Sequence, residues 1–194
     1  MIRAIALAAA LVLALSAPGQ ARTSILPTVV SDSSFVDQTG ARTLQQSIVV
    51  NASPGVIWKA LTDEASYRQW VVPTSYIDFR LGGSVGVSFN PAWKPGQPVD
   101  LKQEIVSYIP ERLLVFRNVQ SPPLPGAALY PRLSIVIELR PALGGTEVVL
   151  SQVGYGTGAD FEALYAFFHS HNPEFLTDLM RFCEKNHSSD GRID

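Results

Sequence analysis

The chain has 194 residues, with 15 Lys and Arg against 17 Asp and Glu, and apolar side chains at 46% of positions. A formal charge of −2 argues against nucleic acid or an anionic membrane surface as the main partner, because both are bound through concentrated positive charge. The solitary Cys183 excludes an intramolecular disulfide, so packing must hold the fold, and a chain of this length can build one real core.

Arg3 is followed by an unbroken apolar run of twelve residues, Ala4 to Leu15, and Gly19-Gln20-Ala21 offers small residues where a signal peptidase reads. The pattern predicts a signal peptide over 1–21, cut after Ala21; a cut after Ala17 would put Pro18 next to the scissile bond. The run falls short of the roughly 20 residues a membrane span needs. No Cys stands near the cut to carry a lipid. The expectation is a periplasmic or secreted protein with no integral membrane segment after cleavage; the competing reading is an uncleaved anchor.

Residues 22–42 are rich in Ser, Thr, Asp and Gly without sustained periodicity, which predicts a flexible linker or loosely docked arm. From Leu44 to Val50 apolar and polar residues alternate as in a half-buried strand. Ser53 then suits an N-cap and Pro54 the first helical position, opening a helix that carries Trp58. A second short helix carries Tyr67 and Trp70 and ends before Pro73.

Six strand candidates follow, at about 75–81, 84–90, 100–109, 112–119, 132–140 and 146–153. Their connections differ in length. Gly82-Gly83, Ile109–Glu111 and Pro141–Gly145 are short, whereas 90–99 and 120–131 are long and Pro-rich. In an up-and-down meander alternate connections emerge at the same end. The two long loops therefore share one end with the glycine-rich exit 154–158, and frame the mouth of a pocket closed at the other. The tail is helical, with a break expected at Asn172-Pro173 and fraying over 186–194. One domain over 43–185 is the result.

Five blocks carry a family resemblance. They are Ile57-Trp58-Lys59-Ala60-Leu61-Thr62-Asp63 with Trp70, then Asp78-Phe79-Arg80-Leu81-Gly82-Gly83, then Glu104-Ile105 with Ile109-Pro110-Glu111-Arg112-Leu113. Gly145-Thr146-Glu147-Val148 and Phe167-Phe168 with Asn172-Pro173, Leu176 and Leu179 complete them, in order, over about 43–185. Together they resemble the activator-of-heat-shock-ATPase homologues of the SRPBCC, or START-like, superfamily, which also holds polyketide cyclase-related proteins. The resemblance implies an α+β helix-grip fold: a curved antiparallel sheet wrapped around a long C-terminal helix, with two short helices after the first strand. It also implies an apolar or amphipathic small molecule held between sheet and helix, or, in a minority of members, cyclisation or dehydration. Stimulation of a cytosolic chaperone ATPase does not suit an exported protein.

No phosphate loop, nucleophile elbow, zinc-protease motif or dinucleotide fingerprint is present, and no cofactor is implied. Gly154–Gly158 reads as a turn out of the last strand. His169-Ser170-His171 looks metal-like, but helical residues two apart point to different sides, so no metal site is expected. His169 instead offers a pocket acid, base or ligand donor. Gln46, Gln103 and Gln152 fall among inward apolar neighbours, where a buried amide needs a structural or ligand partner. Trp58 and Trp70 read as core, Cys183 as a buried inert thiol, and Trp93 as an aromatic at the mouth. The candidate ligand contacts are Phe89, Trp93, Gln103, Tyr130, Gln152, Tyr155, Phe168 and His169. Three functions remain open: an exported small-molecule binding protein, a cyclase-, dehydratase- or isomerase-type enzyme, or an envelope interaction module using Trp93 and the Pro-rich loops. The sequence does not give the oligomeric state.

Overall fold

A computed structural model describes residues 29–190, with side chains placed through Asn186; the expected signal peptide lies outside the described residues. Among the described residues nine strands form one antiparallel sheet. They are β1 (Ser31–Asp32), β2 (Phe35–Val36), β3 (Arg42–Val50), β4 (Ser75–Ile77), β5 (Ser84–Val87), β6 (Leu101–Ile109), β7 (Leu113–Gln120), β8 (Ser134–Ala142) and β9 (Gly145–Tyr155). The spatial order is β1-β3-β9-β8-β7-β6-β5-β4, with β2 also on β3. Two short helices, α1 (Pro54–Thr62) and α2 (Glu64–Trp70), follow β3, and α3 (Ala159–Asp190) closes the chain. This is the helix-grip architecture: the sheet's inner face and both short helices pack on one long helix.

Local chemistry sets the joints. Ser53 caps α1 by accepting from the Val56 N–H at 3.4 Å, and Pro54 occupies the first turn, where its missing N–H costs nothing. Asp63 ends α1 and starts α2. Its carboxylate accepts from the Ser66 hydroxyl at 2.7 Å and the Ser66 N–H at 2.8 Å, and those bonds hold its pKa below the ordinary value. Period two along the strands sorts the faces. Leu44, Gln46, Ile48 and Val50 on β3, and Val148, Leu150 and Gln152 on β9, all turn inward.

The described part of the predicted linker is structured. Ser31 and Asp32 pair with Ser47 and Gln46, and Phe35 and Val36 pair with Thr43 and Arg42. Unpaired backbone groups along the β3 edge are what the arm satisfies. Asp32 then reaches α3, where its carboxylate lies 2.7 Å from His169 Nε2. Burial pushes the Asp32 carboxyl up, and the bonds from Ser34 and His169 outweigh it, so its pKa sits below the usual carboxylate value.

The expected break at Asn172-Pro173 is absent; α3 continues through its internal proline to Asp190, past the point where fraying was expected. Pro173 has no N–H for the His169 carbonyl one turn back, but Gln46 Nε2 donates to that carbonyl at 3.2 Å. Beyond the proline, Leu176, Leu179 and Cys183 are fully buried in the main core, which holds the second half in line with the first. Cys183 is inert as expected, its thiol pushed up to about 12 by burial.

Candidate ligand-binding site

Between the sheet and α3 lies a cavity of about 270 Å³. Val87, Leu101, Phe116, Ile135, Ile137 and Leu150 line it from the strands, Leu61, Val71 and Val72 from α1 and the end of α2, and Phe168 and Phe175 from α3. These walls are aliphatic and aromatic, so removing apolar ligand surface from water supplies the driving force, about 25 cal/mol for each Å² buried. An apolar void of about 150 Å³ already holds benzene, so this one has room for a molecule of about two rings.

Of the three connections expected at the mouth, 88–100 between β5 and β6 brings Phe89 to the cavity and 121–133 between β7 and β8 brings Tyr130, whereas no residue of 156–158, between β9 and α3, lines it. The second carries a 3-10 turn, Ala127–Arg132, that the sequence did not signal; it delivers Tyr130 into the cavity, almost fully buried. Gly126 makes this possible. Its φ is +72°, and a Cβ there would meet the Asp160 carbonyl of α3 at 2.4 Å. Gly154, at φ +99°, lets the end of β9 pass beside the Arg132 carbonyl, which a Cβ would meet at 2.3 Å.

A few polar groups interrupt the apolar wall. Gln103 Nε2 donates to Asn118 Oδ1 at 3.1 Å and to the Tyr130 hydroxyl at 3.3 Å. Burial pushes the Tyr130 phenol up to about 12, with the Gln103 bond pulling slightly the other way. Gln152 Oε1 accepts from the Tyr155 hydroxyl at 3.0 Å. The Tyr67 hydroxyl has no hydrogen-bond partner among the described residues; burial raises its pKa well above the ordinary phenol, helped by nearby Tyr130. Asn172, on α3, lines the cavity with an unpartnered Nδ2.

Five of the eight candidate contacts converge here: Phe89, Gln103, Tyr130, Gln152 and Phe168. Three do not. Trp93 is buried, stacks on Tyr76 with centroids 6.3 Å apart and donates through Nε1 to the Gln97 carbonyl at 3.1 Å; it holds its own loop together, and Phe89, 61% exposed, reaches the mouth instead. Tyr155 packs with Leu44, Leu133, Phe161 and Leu164 in a second, smaller core. From there it orients Gln152 without lining the cavity. His169 faces away, paired with Asp32 and stacked on Tyr165.

The residues missed had a readable signal. With Phe168 inward, helix spacing puts His171, Asn172 and Phe175 on the same face, and all three line the cavity. Asn118 follows Leu114 and Phe116 at period two on β7 and is buried. His171 sits at the rim, exposed, its ring stacked on Phe167 at 4.1 Å and its Nδ1 2.7 Å from the Phe167 carbonyl. No Asp, Glu, Lys or Arg lines the cavity among the described residues. Neither do they hold a cluster of three His, Cys, Asp or Glu placed to bind a metal, nor a helix long and apolar enough to cross a membrane.

Comparison with known proteins agrees with this architecture. The family model described as "Activator of Hsp90 ATPase homolog 1-like protein" matches residues 51–182. No curated protein matches the sequence significantly. Among solved structures, the Aha1 dimer from Colwellia psychrerythraea is 19% identical, with a TM-score of 0.59 over 73% of this chain and 96% of that one. A Mesorhizobium loti protein is 21% identical, with a TM-score of 0.58 over 74% and 98%. A conserved Enterococcus faecalis protein of unknown function is 17% identical, with a TM-score of 0.55 over 84% and 82%. At these identities the likeness is one of fold.

Proposed function

The chain belongs to the Activator of Hsp90 ATPase homolog 1-like family, and on that premise we propose that it is an exported protein that binds a small apolar or amphipathic molecule between sheet and helix. The observation that carries this reading is the cavity of about 270 Å³, walled by aliphatic and aromatic side chains. The N-terminal signal pattern, Arg3 with its apolar run and Gly19-Gln20-Ala21, supports export to the periplasm or the exterior. Export separates the chain from ATP and from a cytosolic chaperone, so the activity that names the family is not part of the proposal.

Native mass spectrometry of the protein, released under mild conditions from its own envelope fraction, tests the reading. The expected result is a bound mass that is lost on organic extraction and absent from an Ile135→Trp variant, in which the indole fills the cavity. A wild-type protein that carries nothing and takes up no apolar fluorophore, while the fold is intact by circular dichroism, would overturn it.

A further inference from the structure

The cavity's polar groups are unevenly matched, and the mismatch specifies a ligand class. Tyr67 is nine-tenths buried, lines the cavity, and its hydroxyl has no hydrogen-bond partner among the described residues. The Tyr130 hydroxyl accepts from Gln103, which leaves its proton to donate, and no acceptor for that proton is present among the described residues. Gln152 spends its Oε1 on Tyr155, leaving Nε2 free to donate. Asn172 adds an unpartnered Nδ2. Polar groups left unpaired in an apolar wall are costly, so a site built this way is completed by what enters it. Gln103 Oε1 and Asn172 Oδ1 are left without partners as well, but the two ends of Asn172 offset each other. The donors of Tyr67, Tyr130 and Gln152 still outnumber the one remaining acceptor, so a bound molecule that brings an acceptor evens the count.

We propose that the ligand is a neutral molecule bearing a hydrogen-bond acceptor of the carbonyl type, a ketone, aldehyde or ester, whose oxygen takes the hydroxyl protons of Tyr67 and Tyr130. The proposal rests on the binding reading above and sharpens it to a chemical class. A carboxylate would also accept these bonds, but it would bring a full charge into a cavity with no Lys or Arg on its walls, and an uncompensated buried charge is far costlier than an unmet hydroxyl. His171, the one lining residue able to carry positive charge, sits exposed at the rim with its ring against Phe167. A pure hydrocarbon fits the walls but leaves both phenols unsatisfied. Both phenols are held protonated, and so able to donate, by the burial that raises their pKa values.

Three probes of one shape separate these cases: 2-acetylnaphthalene, 2-naphthoate and 2-ethylnaphthalene, titrated calorimetrically into the purified protein at neutral pH. The ketone is expected to bind about tenfold more tightly than the hydrocarbon, the scale of one or two neutral hydrogen bonds, and tighter still than the carboxylate. Tyr67→Phe and Tyr130→Phe should remove that preference for the ketone while leaving 2-ethylnaphthalene within about twofold of wild type, a control that also reports an intact cavity. Equal affinity for ketone and hydrocarbon, or tightest binding of the carboxylate, would overturn the carbonyl assignment while leaving the apolar cavity standing. Binding of none of the three would overturn both.

Discussion

The two halves of α3, before and after Pro173, are parts of one helix with opposite tasks. After the proline, Leu176, Leu179 and Cys183 are sealed against β3, α1 and the middle of the sheet in the main core. Before it, Phe161 and Leu164 join a smaller core with Leu44, Leu133 and Tyr155. Phe168, His171 and Asn172, between the two clusters, face open space. The cavity exists where the two cores fail to meet. At that level the sheet also turns polar side chains inward, namely Gln46, Gln103, Asn118 and Gln152. The main core is concentrated in one half of the helix and most of its cavity-lining side chains in the other, with Phe175 just past the joint that a single proline and a single glutamine mark.

The largest effect should come from the sealed half. Leu179→Ala removes a fully buried side chain and should cost about 2–5 kcal/mol in chemical denaturation. Phe168→Ala, half-buried beside a void, should cost less than about 1.5 kcal/mol. Similar losses for the two would erase the division of labour.

Next in size is the cavity half's share of an alkaline effect, carried by Tyr130, which stacks on Phe168; the buried Cys183 thiol adds its own share in the sealed half. The Tyr130 pKa is raised from 10.0 to about 12, chiefly by burial. Because the folded value lies above the unfolded one, its contribution is fully present below pH 10 and is lost as pH rises toward 12. The stability lost over that window should reach roughly 2 kcal/mol and shrink in Tyr130→Phe. Urea titrations at stepped pH measure it; a variant that follows the wild-type curve would place the loss elsewhere.

Smaller again is the joint itself. Gln46→Ala leaves the His169 carbonyl without its donor and should cost about 1–2 kcal/mol. Pro173→Ala, by restoring a backbone N–H to the same carbonyl, should recover most of that loss in the double variant. Strict additivity in the cycle would mean that the two residues do not share the carbonyl.

The inward-facing polar residues show how far the sequence can be read. Gln103 and Gln152 stand at period two among apolar neighbours, so strand alternation alone placed them at the cavity. His169 shows where that reading stops. Helix periodicity says that His169 and His171 point to different sides, but not which side meets the sheet. That is decided by the side chains the helix buries, Leu164, Leu176 and Leu179, and the outward His169 then pairs with Asp32, on an arm far away in sequence whose lack of periodicity read as a linker. Trp93 and Pro173 fail for the same kind of reason: a tryptophan is satisfied by a ring it finds, Tyr76, and a helical proline by a donor it is lent, Gln46. The sequence by itself determined the family, the order of the elements and which strand faces turn inward, because periodicity and turn chemistry are local. Only the tertiary structure decided which histidine sees the cavity, where the helix could pass its proline and which hydroxyls were left without partners, because each depends on contacts between residues far apart in the chain.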